Sequence, residues 1–246
     1  MNYIFPLGFF MMMGYVMPAI NPLYEEMMLP SLVTFAIVFS SILGIPDPLV
    51  NSREKGIFRS YKINGVPSFS ILIIPVISAI VHSMIVFGIM VTVNTFLFKA
   101  PVPGNWLLFI SYVLVGIISS ACMAVLIGVI SPSTQLTIFF SQILFIPSML
   151  ISGVMMPFSL LPENIGKIAQ IFPTTHIMSL LSGSGMGRVS DIDSVGSLAV
   201  LISGSVLAFI IALLSFSWDS KNSTRKIHPA FATITFLPYI IFIIMQ

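Results

Sequence analysis

The chain alternates long apolar runs with short polar stretches. Six runs approach or exceed the ~20 residues that an α-helix needs to cross the hydrocarbon core of a bilayer. They cover residues 4–20, 29–45, 70–98, 106–130, 136–156 and 196–217. Because helices satisfy their own backbone hydrogen bonds in lipid, this pattern predicts an all-α polytopic membrane protein with a six-span bundle.

The last apolar run, 229–246, is short and contains Pro238. Its length of ~17 residues is at the lower limit for a membrane span. The sequence leaves two outcomes open, a seventh span or a segment lying in the membrane interface. We therefore predict one transmembrane domain over 1–228 and an extra C-terminal hydrophobic segment over 229–246.

Composition supports the membrane assignment. Of the 246 residues, 57% are hydrophobic and only 7% are charged, whereas ~25% are charged in soluble proteins. A soluble domain of this length has too much surface for so few charges. The single cysteine, Cys122, excludes an internal disulfide, and the net charge of +2 gives no basis for nucleic-acid binding.

The distribution of basic residues predicts the orientation. With a cytoplasmic N-terminus and six spans, the outer loops hold three basic residues, Lys99, Lys167 and Arg188. The inner loops then hold the other seven: Arg53, Lys55, Arg59, Lys62, Lys221, Arg225 and Lys226. Lys and Arg concentrate on the cytoplasmic side of membrane proteins. We therefore predict an N-in bundle.

The loop after the second run has the pattern of a short amphipathic helix over 48–63. Asp47 suits the N-cap, Pro48 the first helical position, and Asn64-Gly65 the end. Its apolar and basic residues fall on different faces, with Ile57, Phe58 and Tyr61 on one and Arg59 and Lys62 elsewhere. Two interpretations remain: a basic loop that contacts anionic headgroups, or a docking helix that a cytoplasmic partner pushes.

Between the fifth and sixth runs the sequence predicts two helices too short to span. Pro162 suits the start of the first and Pro173 its end, while Thr174 suits the N-cap of a second helix over 175–182. Two such helices predict a re-entrant hairpin surrounded by protein. The alternative is an unstructured outer loop.

Taken together, these features resemble the transmembrane subunit of type-2 exporters of the ATP-binding-cassette (ABC) family. One feature is the six-span, N-in layout. Another is the run Arg53-Glu54-Lys55-Gly56 just after the second span. The third is an outer series between the fifth and sixth spans, formed by Gly153, Pro157, Pro162 and Pro173-Thr174-Thr175-His176.

The resemblance implies a role for each group. The residues expected to couple to an ATPase are Arg53, Glu54, Lys55, Gly56, Phe58 and Arg59. The outer re-entrant or gate residues are Gly153, Pro157, Pro162, Pro173 and His176. A structural hydrogen bond explains His176 as well as a gate does.

The chain lacks the phosphate-binding loop of an ATPase. Its one Gly-Lys pair, Gly166-Lys167, has Leu161 where the first glycine should be. We therefore expect no enzymatic activity and no cofactor in this chain, with ATP and Mg²⁺ bound by a separate ABC ATPase. The resemblance implies a homo- or heterodimer of permeases over two ATPases in a bacterial-type cell membrane.

The resemblance implies ATP-driven efflux, and with it drug resistance as one outcome. Few charges in the spans and many Met and Phe residues favour lipophilic or amphipathic cargo, such as an antibiotic, drug, toxin, peptide or lipid-like compound. His82, in the middle of the third run, is a candidate pathway residue. The alternative, which is the more common situation for a lone histidine, is a neutral imidazole that ties two helices together.

Two other functions remain open. In the first, His82 carries protons in a proton-coupled secondary transporter or a channel. In the second, the chain is a membrane sensor or scaffold subunit that binds a partner without moving cargo.

Overall fold

The computed structural model describes residues 3–20, 24–219 and 228–245, and this part of the chain is helical without β-strands. Lys221, Arg225 and Lys226, which contribute to the predicted orientation, lie outside the described residues. The α-helices are α1 (Ile4–Ile20), α2 (Tyr24–Val38), α3 (Pro46–Glu54), α4 (Ile57–Ile63), α5 (Ser68–Val93), α6 (Trp106–Ile130), α7 (Thr134–Ile151), α8 (Glu163–Ala169), α9 (Pro173–Ser182), α10 (Ser194–Ser215) and α11 (Leu237–Met245).

Five helices of the described residues are long and apolar enough to cross a membrane, and they correspond to the second to sixth predicted runs. The bounds of α6 coincide with the predicted 106–130. By contrast, α7 ends at Ile151, before the predicted end at 156. The chain bends there because Gly153 has a φ of +91°, a left-handed conformation that ends the helix.

Two of the long helices contain π-helical turns. Residues Phe39–Leu43 form such a turn between α2 and α3, and residues Asn94–Phe98 form one after α5. The first makes Tyr24–Glu54 one long helical element. Short π segments within α-helices are frequent at functional sites.

The first predicted run forms α1, whose 17 residues are at the short limit for a span. Tyr3, just before it, forms a hydrogen bond with His82 in the middle of α5. Phe10 and Tyr15 contact Phe98, at the far end of the same helical element. Thus α1 lies beside the half of α5 between His82 and Phe98, and its crossing of the membrane stays a prediction.

The centre of the bundle is α6, which packs against α2, α3, α5, α9 and α10. Its most apolar window is 78% buried, compared with 22% for α7. Small residues allow this close packing. At Gly116, for example, an added Cβ would lie 3.0 Å from the side chain of Ile177 in α9.

The bundle has two chemically different ends. We call the end that carries α3, α4 and the C-terminal ends of α6 and α10 the basic end. We call the opposite end, which carries α8 and α9, the hairpin end. At the hairpin end α9 is buried from Pro173 to Leu181, whereas most of α8 is exposed. Protein therefore surrounds the second of the two short helices, and their re-entry into the membrane stays a prediction.

The ends of the hairpin helices differ from the predicted ones. The first helix ends at Ala169, before Pro173, and the second begins at Pro173 itself with Phe172 as its N-cap. The predicted capping role of Thr174 is therefore wrong. Proline fits this first position because its missing N–H would have no partner there.

The C-terminal segment packs along α10. It begins as an eight-residue 3-10 helix, Pro229–Phe236, and continues as the nine-residue α11. With a rise of ~2.0 Å per 3-10 residue and ~1.5 Å per α residue, these residues extend over ~30 Å, the thickness of a hydrocarbon core. This length suffices for a seventh span, and the choice between a span and an interfacial segment stays open.

Candidate functional site

The predicted helix over 48–63 is wrong as a single helix. The segment consists of α3 and α4, joined at Lys55-Gly56. Gly56 has a φ of +73°, and a Cβ added there would meet no atom within 4 Å. The break therefore depends on the left-handed backbone that glycine adopts easily, and not on a lack of space.

The predicted start is also wrong. Ile45, rather than Asp47, is the N-cap of α3, and Pro46 is its first residue. The helix begins earlier because the π turn of Phe39–Leu43 carries the chain almost directly from α2 into α3. We call residues 46–63 the 46–63 segment from here on.

Arg53 is buried, with 4% of its surface exposed, although the sequence places it among residues expected to couple to a partner. Its guanidinium donates one hydrogen bond of 2.9 Å to the carbonyl oxygen of Val129 and another to that of Ser131. These carbonyls lie at the C-terminal end of α6, where helix carbonyls lack internal partners and the helix dipole is negative. Arg53 thus ties α3 to α6 and does not face a partner subunit.

Two more side chains of the 46–63 segment reach other long helices. The Glu54 carboxylate accepts a 3.3 Å hydrogen bond from the hydroxyl of Thr134, the first residue of α7. Arg59 forms a salt bridge with Asp219, just beyond α10. The segment therefore contacts the basic ends of α6, α7 and α10.

The amphipathic character predicted for this region holds for α4 in part. Phe58 is buried and lies 5.5 Å from Phe216, between ring centres. Tyr61, predicted on the same apolar face, is 43% exposed. The exposed surface of the segment carries basic and apolar side chains together: Lys55, Ile57, Arg59, Tyr61, Lys62 and Ile63.

A cavity of about 610 Å³ lies between the 46–63 segment, the end of α2 and α5. Phe58 and Tyr61 of α4 line one end of it, and His82 of α5 lines the other. Beside His82, the hydroxyl oxygens of Ser40 and Ser83 are 3.3 Å apart. A second and much smaller cavity, of about 10 Å³, shares Ser40, His82 and Ser83 with the first.

The structure thus brings together two groups that the sequence predicted separately, His82 and the residues of α4. Sequence reasoning missed Ser40 and Ser83, whose hydroxyls meet on the lining shared by the two cavities. The only sign of them in the sequence was that each is a hydroxyl residue inside an apolar run. That signal is weak, since most such serines only bond their own helix backbone.

The predicted outer residues lie at the hairpin end, away from this cavity. Gly153 packs against α9, because a Cβ added there would lie 3.4 Å from Met178. Pro157 and Pro162 flank a 3-10 turn, Phe158–Leu160, and Pro173 is buried at the start of α9.

His176 is completely buried, and both ring nitrogens have partners. Its Nε2 lies 2.9 Å from the carbonyl oxygen of Gln170, and its Nδ1 lies 3.0 Å from the hydroxyl of Ser197 in α10. A carbonyl only accepts, so Nε2 carries the hydrogen and Nδ1 accepts from Ser197. The rings of Tyr239 and Phe242 also pack against this imidazole. His176 therefore joins the hairpin to α10 and to the C-terminal segment.

The exposed helix α8 carries an ion pair between residues four positions apart. Lys167 donates a 2.7 Å hydrogen bond to the Glu163 carboxylate. This hydrogen bond and the lysine charge lower the pKa of Glu163. On the same helix Ile165 and Ile168 are exposed, as suits a helix at an apolar interface.

A protein-family model described as ABC-2 family transporter protein matches residues 19–214. The match includes the 46–63 segment, the cavity and the hairpin, and it ends before the C-terminal segment. No curated protein and no solved structure gives a significant match.

Proposed function

Since this chain belongs to the ABC-2 transporter family and is a membrane permease, we propose that it exports lipophilic or amphipathic compounds, driven by a separate ATPase subunit. The observation that carries the proposal is the 46–63 segment. It presents an exposed basic and apolar surface and contacts the ends of three long helices behind it.

These contacts provide a route for force. A partner that displaces α4 would move α10 through Arg59 and Phe58, and would move α6 through Arg53. Packed interiors have low compressibility and transmit such displacements. Movement of packed elements between two arrangements is the usual basis of switching in proteins. ATP hydrolysis in the partner would thereby bias the bundle between inward- and outward-open states.

The proposed orientation places the basic end in the cytoplasm of a bacterial-type cell and the N-terminus on the same side. The positive-inside rule supports it, because the described part of this end carries Arg53, Lys55, Arg59 and Lys62. The ATPase, with its ATP and Mg²⁺, would contact this end.

The proposed assembly contains a second permease subunit. The surface of α7 supports it, because α7 is the least buried of the long helices described. Its large exposed apolar side chains are Leu136, Ile138, Phe139, Ile143, Ile146 and Leu150. Such a stripe suits contact with lipid or with another permease.

A proton-coupled transporter remains the rival function, and the position of His82 on the lining of the cavity favours it. No carboxylate lines that cavity among the residues described. Transport that follows a proton gradient without any ATPase would support this rival.

The test is transport by the permease reconstituted with its partner ATPase. Gly56→Ala and Glu54→Gln should each lower ATP-driven transport several-fold while ATP hydrolysis continues. An alanine with positive φ costs about 1–2 kcal/mol, so α3 and α4 should lose their present angle. Gly56→Asn should restore part of the transport, because asparagine tolerates this conformation.

The matched control is Gly65→Ala. Gly65 also has a positive φ, +75°, with no atom within 4 Å of an added Cβ, but it lies beyond α4. The Gly65→Ala variant should introduce backbone strain similar to that of Gly56→Ala and leave the coupling of ATP hydrolysis to transport intact. Unchanged export in both the Gly56→Ala and Glu54→Gln variants would overturn the proposed coupling role.

A further inference from the structure

We infer that the cavity between the 46–63 segment, α2 and α5 binds the cargo, and that the cargo is a neutral lipophilic molecule with a hydrogen-bonding group at one end. This inference rests on the proposed function and assigns a site to its substrate. The molecule would reach the site sideways, from the leaflet of the bilayer next to the basic end.

The size and lining of the cavity define the class of ligand. Its volume of about 610 Å³ lies within the range of ~300–1,000 Å³ found for small-molecule sites. Most of the lining is apolar and includes Leu49, Ile71 and Ile74, and no Lys, Arg, Asp or Glu of the described part of the chain belongs to it. A charged ligand buried here would have no counter-charge, which is strongly unfavourable. The lining therefore selects a neutral molecule.

Three polar side chains of the cavity lie together where α5 meets the π turn. There the Ser40 and Ser83 hydroxyls and the His82 imidazole line the cavity. The Nδ1 of His82 is bonded to Tyr3, and the Ser40 hydroxyl donates to the carbonyl oxygen of Ile37. A ligand oxygen or nitrogen placed beside these three side chains would have donors and acceptors within reach, while its apolar body would fill the rest of the cavity.

The position of α1 leaves a lateral opening. The described contacts of α1 with α5 lie between His82 and Phe98, so α1 does not cover the exposed face of the other half of α5. Ile74 on that half is 61% exposed and also lines the cavity. A lipophilic molecule dissolved in the leaflet could enter here without crossing water.

The walls of the cavity are also deformable where they meet the proposed coupling elements. Phe58 and Tyr61 come from α4, so displacement of α4 changes one end directly. At the other end Ser40 belongs to the π turn of Phe39–Leu43, and the opposite wall contains Pro75, inside α5. Both irregularities interrupt regular helix hydrogen bonding, so either wall can bend as the 46–63 segment moves.

The experiment measures binding of Nile red, a neutral lipophilic dye with a carbonyl acceptor, to the full chain with its ATPase in nanodiscs. The cavity is filled with Ala79→Trp, on the lining of α5. The matched control is Ile77→Trp, since Ile77 lies two residues away, outside the lining, and is 53% exposed. Ala79→Trp should weaken binding more than tenfold, and Ile77→Trp should leave it unchanged.

A second variant tests the polar end. Ser83→Ala should raise the dissociation constant of Nile red about threefold to tenfold, the loss expected for one hydrogen bond. A permanently cationic dye, rhodamine 6G, should bind weakly to the unmodified protein and to both tryptophan variants alike.

Several results would overturn the inference: equal binding by the two tryptophan variants, stronger binding of the cationic dye, or a disulfide between permease copies through Ser78→Cys in a Cys122→Ala background. The last would show that protein fills the cavity. ATP-driven transport that persists when Nile red binding is absent would overturn the site but retain the proposed function. Dye binding without any ATP-driven transport would overturn the proposed function but retain the site.

Discussion

Arg53 shows how a basic residue at the end of a span can be part of the interior. Its guanidinium holds two backbone carbonyls at the end of α6, so it stabilises the junction between α3 and α6. The residue links the proposed docking surface to α6, the most buried of the long helices described. We interpret Arg53 as a positioning residue, one that acts through α6.

Arg53→Lys should destabilise the protein by about 2 kcal/mol, because a hydrogen bond from a charged donor contributes ~1.5–3 kcal/mol and lysine cannot donate to two carbonyls in the same fork geometry. The measurement is the midpoint of unfolding in detergent micelles, followed by tryptophan fluorescence. The control is Arg59→Lys, since the Arg59 side chain is 56% exposed and a surface ion pair contributes under ~1 kcal/mol. Equal losses in the two variants would contradict the role of Arg53.

The burial of Arg53 could not be predicted from the sequence. A basic residue just after an apolar run normally marks the water-facing end of a span, and that rule gave the orientation. What buries Arg53 is its contact with Val129 and Ser131, some 76 and 78 positions further along the chain. No local pattern reports such a contact.

The apolar runs in the sequence predicted the existence and the length of a helix well where lipid or the protein core surrounds that helix on all sides. Thus α6 has the predicted bounds, and α5 with its π turn extends over 68–98, close to the predicted 70–98. The break at Gly56 was missed because the helical periodicity continues across it. The π turns were missed because a π turn has the same apolar composition as the helix around it.

The C-terminal segment shows how two glycines of α10 create a place for aromatic rings. A Cβ added at Gly204 would lie 2.7 Å from the ring of Tyr239, and one at Gly196 would lie 2.2 Å from that of Phe242. Tyr239 is fully buried as a result. The sequence did not predict this packing, since the segment reads only as a short apolar run.

Tyr239→Ala should lower the free energy of unfolding by about 3 kcal/mol, because truncating a buried aromatic ring leaves a cavity. The same unfolding measurement in micelles checks it. Ile240→Ala is the control, since Ile240 is the next residue and is 45% exposed. If the two alanine variants were equally stable, the packing of this segment on α10 would be wrong.

The protein as a bundle has a basic end, which we assign to the cytoplasm, and a hairpin end, which we assign to the outside. Each end carries an exposed lysine that can be replaced by a cysteine for labelling, Lys62 in α4 and Lys167 in α8. The single cysteine, Cys122, is buried. Cysteines introduced at either end can therefore be labelled against a low background.

In a Cys122→Ala background, a membrane-impermeant maleimide should label Lys167→Cys in intact cells. Lys62→Cys should react only after the cells are permeabilised. The physical reason is the positive-inside rule, which places the basic end on the cytoplasmic side. The reverse labelling pattern would contradict the N-in orientation.

The most direct test of the proposed function is photo-crosslinking from the 46–63 segment to the partner ATPase in cells. A photoreactive residue at Ser60, on the exposed surface of α4, should crosslink to the ATPase. The same residue at Ile165 in α8, exposed at the opposite end, should not. Crosslinks from Ser60 that reach only phospholipid would contradict the assignment of this segment as the docking site of an ATPase.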